Sequence, residues 1–341
     1  MSLDSQGTML DEAKPLVSVI LPVYNAENFI GQAVESLLCQ THTNFEIIAV
    51  NDGSSDASAG ILEQHRSQDA RVKVIHTPNR GLVAALNLAI EHANGQLLAR
   101  MDADDICEPE RFAQQVAHMQ HHADCVAVGC AITSVDTAGH VLSRQTKMHT
   151  NHKLPDRCRN FEHFPPAPPT IPHPTAMIRS MAMKHAGGYR DYFRLGSQDR
   201  DLWWRLSRLG RIDCVPQRLL RYRSHDNNRS RLNRIKSTGD LILADLSAVV
   251  THANLDHLKL LEAHREGRTL GQSILAFDEL IGKRFPTLEF ALYRIRSRKA
   301  FQTLSKEEYR MLSHMCLRRC IPRPLKKSTW LALRSILSTF Q

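Results

Sequence analysis

The sequence predicts an α/β protein built on a mainly parallel, doubly wound sheet, and three observations predict it. From Leu16 to about Cys130, short β-rich runs alternate with runs of helical period, the pattern of successive βα units. The second and fourth of the β-rich runs end in Asp-rich turns, where a parallel sheet presents the carboxyl ends of its strands to a ligand. With 341 residues, 42% hydrophobic and 23% charged, the chain is long enough to bury a large core and matches a folded globular composition. Disordered, collagen-like and coiled-coil architectures are excluded on the same numbers.

Residues 17–23 form an apolar first strand. Residues 26–40 carry Phe29, Ile30, Ala33, Val34, Leu37 and Leu38 at helical spacing behind Asn25, which is expected to cap the helix. Residues 45–50 form the second strand and end in Asn51-Asp52-Gly53-Ser54-Ser55-Asp56, a turn cluster followed by a helix through Ile61 and Leu62. A third strand (72–75), a third helix (82–92) and a fourth strand (96–101) follow, the last running into Asp102-Ala103-Asp104-Asp105. Pro109 suits the first turn of the next helix, and residues 125–129 read as another buried strand. Residues 136–174, with Pro155, Pro165, Pro166, Pro168, Pro169, Pro172 and Pro174, are expected to be loop-rich structure over the sheet. Residues 199–209 return to helical spacing, with Leu202, Trp203, Leu206 and Leu209 on one side, and after Arg231 the chain is mostly helical and basic. The expected organisation is a flexible N-terminus (1–15), an α/β domain (16–230) and a helical C-terminal region with a basic amphipathic tail (231–341).

No run approaches the 18 apolar residues of a membrane span, and the polar stretch from Met1 to Lys14 argues against a signal peptide, so a cytoplasmic protein is expected. The eight cysteines show no CxxC and no zinc-site spacing, and read as reduced, mostly buried thiols. Forty-four Lys and Arg against 35 Asp and Glu leave a net charge of +9, which suits nucleic acid, anionic lipid or a phosphorylated small molecule. No nucleic-acid-binding motif accompanies that charge.

The carboxylates at the strand ends carry the chemistry. Asp52 follows the second strand, and Asp102, Asp104 and Asp105 follow the fourth. Asp in a turn is ordinarily a local hydrogen-bonding residue, and Asp105 before Pro109 reads as a helix cap. Crowded carboxylates nevertheless repel and raise each other's pKa unless a cation shares the site, and such hard oxygen ligands suit Mg²⁺ or Mn²⁺.

In order along the chain stand Val19-Ile20-Leu21-Pro22-Val23-Tyr24-Asn25, Asn51-Asp52-Gly53-Ser54-Ser55-Asp56, Asn79-Arg80-Gly81 with Asn87, and Arg100-Met101-Asp102-Ala103-Asp104-Asp105. His173-Pro174, Gly187-Gly188-Tyr189, Gln198-Asp199-Arg200-Asp201-Leu202-Trp203 and Tyr222-Arg223-Ser224-His225 complete the set. Each is weak alone; the ordered set resembles the family 2 glycosyltransferases, inverting enzymes of the GT-A nucleotide-sugar-binding fold. The resemblance covers about two thirds of the chain.

It implies that Pro22 and Tyr24 line the base and ribose pocket, Asp52 accepts a hydrogen bond from the base, and Asp102 faces the ribose and first phosphate. Asp104, with His225, would hold the divalent cation, Mn²⁺ or Mg²⁺. Arg80 and Arg223 would face phosphate, although an exposed loop is an equal account of Arg80. Asp199 is implied as the general base, with Asp201 as its rival and helix capping as the bland account of either. The family pattern has Glu-Asp where this chain has Gln198-Asp199, so a second acidic role there is lost. His173 reads first as a structural hydrogen-bonding residue, and Trp203 and Trp204 as packing residues.

The expected function is inverting transfer from a nucleotide-diphosphate sugar, UDP-linked, to a saccharide or lipid-linked saccharide acceptor in bacterial surface-polysaccharide or lipopolysaccharide assembly, without a nucleic-acid partner. The alternatives are a non-catalytic basic nucleic-acid-binding protein and a nucleotidyltransferase. From Tyr309 to Gln341 there is no Asp or Glu, while Arg310, Arg318, Arg319, Arg323, Lys326, Lys327 and Arg334 are cationic. With Trp330, Leu333, Leu337 and Phe340 at about helical spacing, this tail suits peripheral contact with an anionic membrane surface on the cytoplasmic face of the inner membrane. Packing on the catalytic domain accounts for it equally well.

Overall fold

The computed structural model describes residues 14–144, 171–191, 197–226, 272–275 and 307. The chain divides into two compact units, Met1–Arg234 and Ile235–Gln341. The basic tail and nearly all of the expected helical C-terminal region lie outside the described residues, as does most of the Pro-rich stretch. Among the described residues no helix is long and apolar enough to cross a membrane.

The first unit is organised on one nine-stranded sheet. Its strands are β1 (Val17–Val23), β2 (Phe45–Asp52), β3 (Val72–Thr77), β4 (Leu97–Arg100), β5 (Ile106–Cys107), β6 (Cys125–Val135), β7 (Val141–Arg144), β8 (Met177–Arg179) and β9 (Arg211–Arg223). They lie in the order β3-β2-β1-β4-β8-β6-β9-β5, with β7 paired to β6. The helices are α1 (Ile30–Leu38), α2 (Ser58–Gln68), α3 (Leu82–Glu91), α4 (Arg111–His121), α5 (Ser180–Ala186) and α6 (Gln198–Leu206).

Side-chain alternation along β1 splits the interior in two, as a doubly wound sheet requires. Val17, Val19, Leu21 and Val23 face a core with Ile30, Val34 and Leu37 of α1 and Phe112 and Val116 of α4. Ile20 faces the other, built from Val83, Leu86 and Ala89 of α3 and Leu202, Trp203 and Leu206 of α6. The strands β3, β2, β1 and β4 are parallel; β8 is antiparallel to both β4 and β6, and β9 is parallel to β6. Two reversals restore direction, so β1, β2, β4 and β9 all present their carboxyl ends to the same rim.

Two local expectations are corrected. Helix α1 starts at Ile30 without a side-chain cap; Asn25 instead adopts a left-handed φ of 48° and accepts the Ser55 N–H at 2.9 Å, tying two loops together. Helix α4 begins at Arg111, so Pro109 precedes it in a turn. Of the cysteines described, Cys107, Cys125, Cys130 and Cys214 are buried free thiols and Cys39 is an exposed one.

A buried acid fastens the opposite rim. Glu46 on β2 accepts from the Ser18 hydroxyl at 2.6 Å, the Asn94 backbone N–H at 2.8 Å and the Lys73 ammonium at 2.6 Å. Burial pushes its carboxyl up, but the combined effect of these donors outweighs it and holds the pKa down from 4.5 to about 2. At 1.36 kcal/mol per unit this amounts to roughly 3 kcal/mol, reduced to about 2 kcal/mol because Lys73 is half exposed to screening solvent. A group depressed in the folded state stabilises above its unfolded pKa and loses that contribution as pH falls through the folded value. Urea unfolding is therefore expected to find Glu46→Gln about 2 kcal/mol less stable than wild type at pH 7, with the gap closing between pH 4.5 and pH 2.

Candidate active site

Each of the parallel strands delivers a polar residue to the common rim. On β1 the Ile20 carbonyl accepts the Met101 N–H, the last contact with the β4 side, so Pro22 two residues on points its missing N–H past the end of β4, where no ladder bond is lost. Pro22 is buried and Tyr24, just beyond the strand, is 54% exposed.

Asp52 closes β2. It is 3% exposed, and its two oxygens accept the backbone N–H groups of Arg80 and Gly81 at 2.8 Å each, which fastens the loop that starts α3. That loop approaches closely: Gly53 has a φ of +70°, and a Cβ there would lie 2.6 Å from the Asn79 nitrogen. The Arg80 side chain is exposed.

Beyond β4, one ligand oxygen from each of Asp102, Asp104 and Asp105 lies within 4.8 Å of the others. Asp102 is anchored from below by Arg100, whose Nη1 lies 2.5 Å from Asp102 Oδ1. Burial and then the Asp102 charge raise the Asp104 carboxyl; burial, Asp102 and Asp104 raise that of Asp105 far more. Asp105 is 1% exposed, and it is no helix cap: its Oδ1 accepts the Arg223 N–H at 2.9 Å. Its Oδ2 is buried without a hydrogen-bond partner among the described residues. A buried orphan oxygen amid mutually repelling carboxylates is the donor set a hard divalent cation fits.

The end of β9 closes over this cluster. Arg223 is buried, and its guanidinium donates to the Asp104 carbonyl at 2.8 Å, the Thr137 carbonyl at 2.7 Å and Gln32 Oε1 at 2.6 Å. These bonds make it a brace beneath the cluster. His225 donates from Nε2 to Asp104 Oδ2 at 2.9 Å. Phe29 lies between the two, its ring stacked on His225 with centroids 5.2 Å apart and 4.9 Å from the Arg223 guanidinium carbon.

Helix α6 runs back into β9, which starts at the opposite rim, so its N-terminus sits at the site. Ser197, with φ 71°, turns the chain in, and Asp199 and Asp201 fall in the first turn. Their fates differ. Asp201 is 2% exposed and consumed by Arg205, with Nη2 at 2.7 Å and Nε at 3.0 Å, and by Arg190 at 3.4 Å. Asp199 accepts the Arg200 N–H at 2.8 Å and is raised by burial, which outweighs that bond and the Arg200 and Arg100 charges.

Beside it, His173 Nε2 shares a 2.8 Å hydrogen bond with the Tyr189 hydroxyl, and its ring packs against Trp203 with centroids 6.1 Å apart. Burial, then Arg100, pushes His173 well below the usual histidine pKa, and burial raises Tyr189, so both stay neutral. Asn87 holds the Tyr189 backbone with two bonds, of 2.8 and 2.9 Å.

Thus Asp102, Asp104, Arg223 and His225 form one contact cluster, and Asp199 meets it electrostatically through Arg100, while Pro22, Tyr24 and Asp52 stand on the neighbouring strand ends. Sequence reasoning gave no role to Arg100 and placed Phe29 in the core stripe of α1. A cation buried in an apolar strand two residues before a carboxylate run was the legible signal for Arg100; nothing local marked Phe29. A second group, His118, Cys125 and Asp213, lies at the opposite rim. There Asp213 is already paired with His118 at 2.8 Å and Arg211 at 2.7 Å, and burial pushes the Cys125 thiol up to about 12, so ion pairing accounts for it.

The profile described as Glycosyl transferase family 2 matches residues 18–185. An uncharacterized glycosyltransferase of Haemophilus influenzae is 32% identical over 228 residues, 63% of this chain and 68% of that protein. The putative glycosyltransferase EpsH of Bacillus subtilis is 44% identical over 123 residues, 36% of each chain. Among solved structures, S. aureus TarS 1–349 in complex with UDP-GlcNAc superposes with a TM-score of 0.59 at 16% identity, covering 90% of this chain and 93% of that one. At that identity the likeness establishes the GT-A fold.

Proposed function

The chain belongs to glycosyltransferase family 2, and we propose that it transfers a sugar from a nucleotide-diphosphate sugar, UDP-linked, to an acceptor hydroxyl with inversion at the anomeric carbon. Family membership sets aside the nucleic-acid-binding and nucleotidyltransferase alternatives. The observation that carries the proposal is a single rim bearing two chemically distinct carboxylate groups: the Asp102–Asp104–Asp105 cluster and, apart from it, Asp199, whose carboxyl is raised by burial despite the Arg200 and Arg100 charges.

In this reading Asp199 takes the proton from the acceptor hydroxyl as its oxygen bonds to the anomeric carbon. The bond from that carbon to the diphosphate oxygen breaks, its electron pair leaving with the nucleoside diphosphate. A raised carboxyl suits a base that must hold a proton briefly near neutral pH. Asp104 and His225, with Asp102 and Asp105 beside them, would hold Mn²⁺ or Mg²⁺, which when bound neutralises charge on the departing diphosphate. Tyr24 and Pro22 line the base and ribose, Asp52 receives the base, Asp102 faces the ribose, and exposed Arg80 reaches the phosphates. Arg223 serves the nucleotide by bracing the Asp104 backbone carbonyl and the Asp105 carboxylate.

The acceptor is proposed to be a saccharide or lipid-linked saccharide in bacterial surface-polysaccharide assembly, met in the cytoplasm or at the anionic face of the inner membrane through the basic tail. The likeness to bacterial glycosyltransferases and the one-signed charge of residues 309–341 support that reading. A panel of nucleotide sugars incubated with Mn²⁺ is expected to show release of nucleoside diphosphate from one or a few donors. Proton NMR of the glycoside product is expected to show the anomeric configuration opposite to the donor's; a retained configuration overturns the mechanism.

A further inference from the structure

Beside Asp199, a buried group lacks the partner that its burial demands. Gln198 opens α6 and is 8% exposed, and its side-chain Oε1 is sealed from solvent without a hydrogen-bond partner among the described residues. A buried carbonyl left unpaired costs the full desolvation of that group, and native folds rarely keep one without reason. The other unpaired buried atoms include Asp105 Oδ2 and Arg100 Nε, from the cluster that Arg100 links to Asp199, and Trp203 Nε1 on α6 itself. Apart from Arg211 Nε at the opposite rim, the unsatisfied polar atoms among the described residues lie on α6 or in the cluster at the rim where a substrate would bind.

We propose that Gln198 is a substrate-binding residue whose Oε1 receives a hydroxyl of a saccharide bound next to Asp199. The inference rests on the glycosyltransferase reading and adds a recognition contact to it. A neutral amide suits this position. It matches an uncharged sugar hydroxyl, and it spares Asp199 a second adjacent carboxylate, which would oppose its ionisation. The hydroxyl belongs either to the donor sugar or to the acceptor, and kinetics separate the two.

Methionine approximates the shape of glutamine without its carbonyl, so in Gln198→Met the orphan disappears and the substrate contact with it. The unliganded variant is expected to melt at the wild-type temperature or above. With UDP-GlcNAc and Mn²⁺, it is expected to lose about tenfold in kcat/KM, the worth of one hydrogen bond of about 1.4 kcal/mol, while the Kd for UDP stays unchanged. If the donor sugar supplies the hydroxyl, the loss shows already in hydrolysis of UDP-GlcNAc by water; if the acceptor does, hydrolysis is untouched and only transfer to a saccharide falls. A lower melting temperature with unaltered kinetics would make Gln198 structural and overturn the inference while the glycosyltransferase reading stands. If wild type neither binds UDP nor turns over any nucleotide sugar, the reading fails and takes the inference with it.

Discussion

Asparagine at position 199 is expected to lower sugar transfer by about 10²–10⁴-fold, the range of general-base catalysis, while nucleotide-sugar binding survives. Asparagine keeps the shape of the side chain and an oxygen for the Arg200 N–H at 2.8 Å, so the first turn of α6 is preserved and only the capacity to take a proton is removed. The pH profile makes the assignment sharper. Burial raises the Asp199 carboxyl above its ordinary 3.8, and a base works only when ionised. Wild-type kcat/KM should rise with pH through an acid limb displaced above that value, and the limb should vanish in Asp199→Asn. Steady-state transfer rates across pH, with donor affinity measured in parallel, check both. A variant that keeps its rate, or loses donor affinity and rate together, removes Asp199 from the role of base.

The same helix shows what a sequence discloses and what it withholds. Asp199 is the sequence's choice for the base and Asp201 its rival. Arg205, four residues after Asp201 and therefore on its face of the helix, pairs with the rival, a spacing already present in the sequence. Strands β1 to β4 and their Asp-rich turns were legible because βα alternation is a local signal. Of the later strands only the start of β6, residues 125–129, was legible. Three-residue β8 carries no periodicity, and β9 mixes Pro216 and four arginines into a run whose burial is set by its neighbours β6 and β5. The antiparallel insertion of β8, which brings β9 to the active rim, is likewise a fact of tertiary pairing. Asn25 and Asp105 are both good caps by propensity, yet each is captured by a distant partner, at Ser55 and Arg223. Phe29 is apolar at a helical spacing like its neighbours, and only the return of the chain at residue 225 makes it a stacking surface for the proposed cation site.

Alanine at position 104 is expected to raise the Mn²⁺ concentration for half-maximal turnover by at least about 100-fold, beyond the 10–100-fold that loss of an outer-shell partner costs. Its effect on folding should run the other way. Burial and the neighbouring Asp102 charge raise the Asp104 carboxyl, so removing it relieves repulsion in the unliganded protein at the loss of the 2.9 Å bond from His225. The metal-free melting temperature should therefore hold or rise, whereas the increase that Mn²⁺ gives the wild type should be lost. This opposition separates a ligand from a structural acid. A residue that merely braced the loop would lower the metal-free melting temperature on removal and leave the Mn²⁺ titration in place. Thermal melts with and without Mn²⁺, set beside the Mn²⁺ dependence of nucleotide-sugar turnover, decide between them. An unchanged titration would take Asp104 out of the cation site and leave Asp102 and Asp105, with the buried unpaired Oδ2 of the latter, as the carboxylates to replace next.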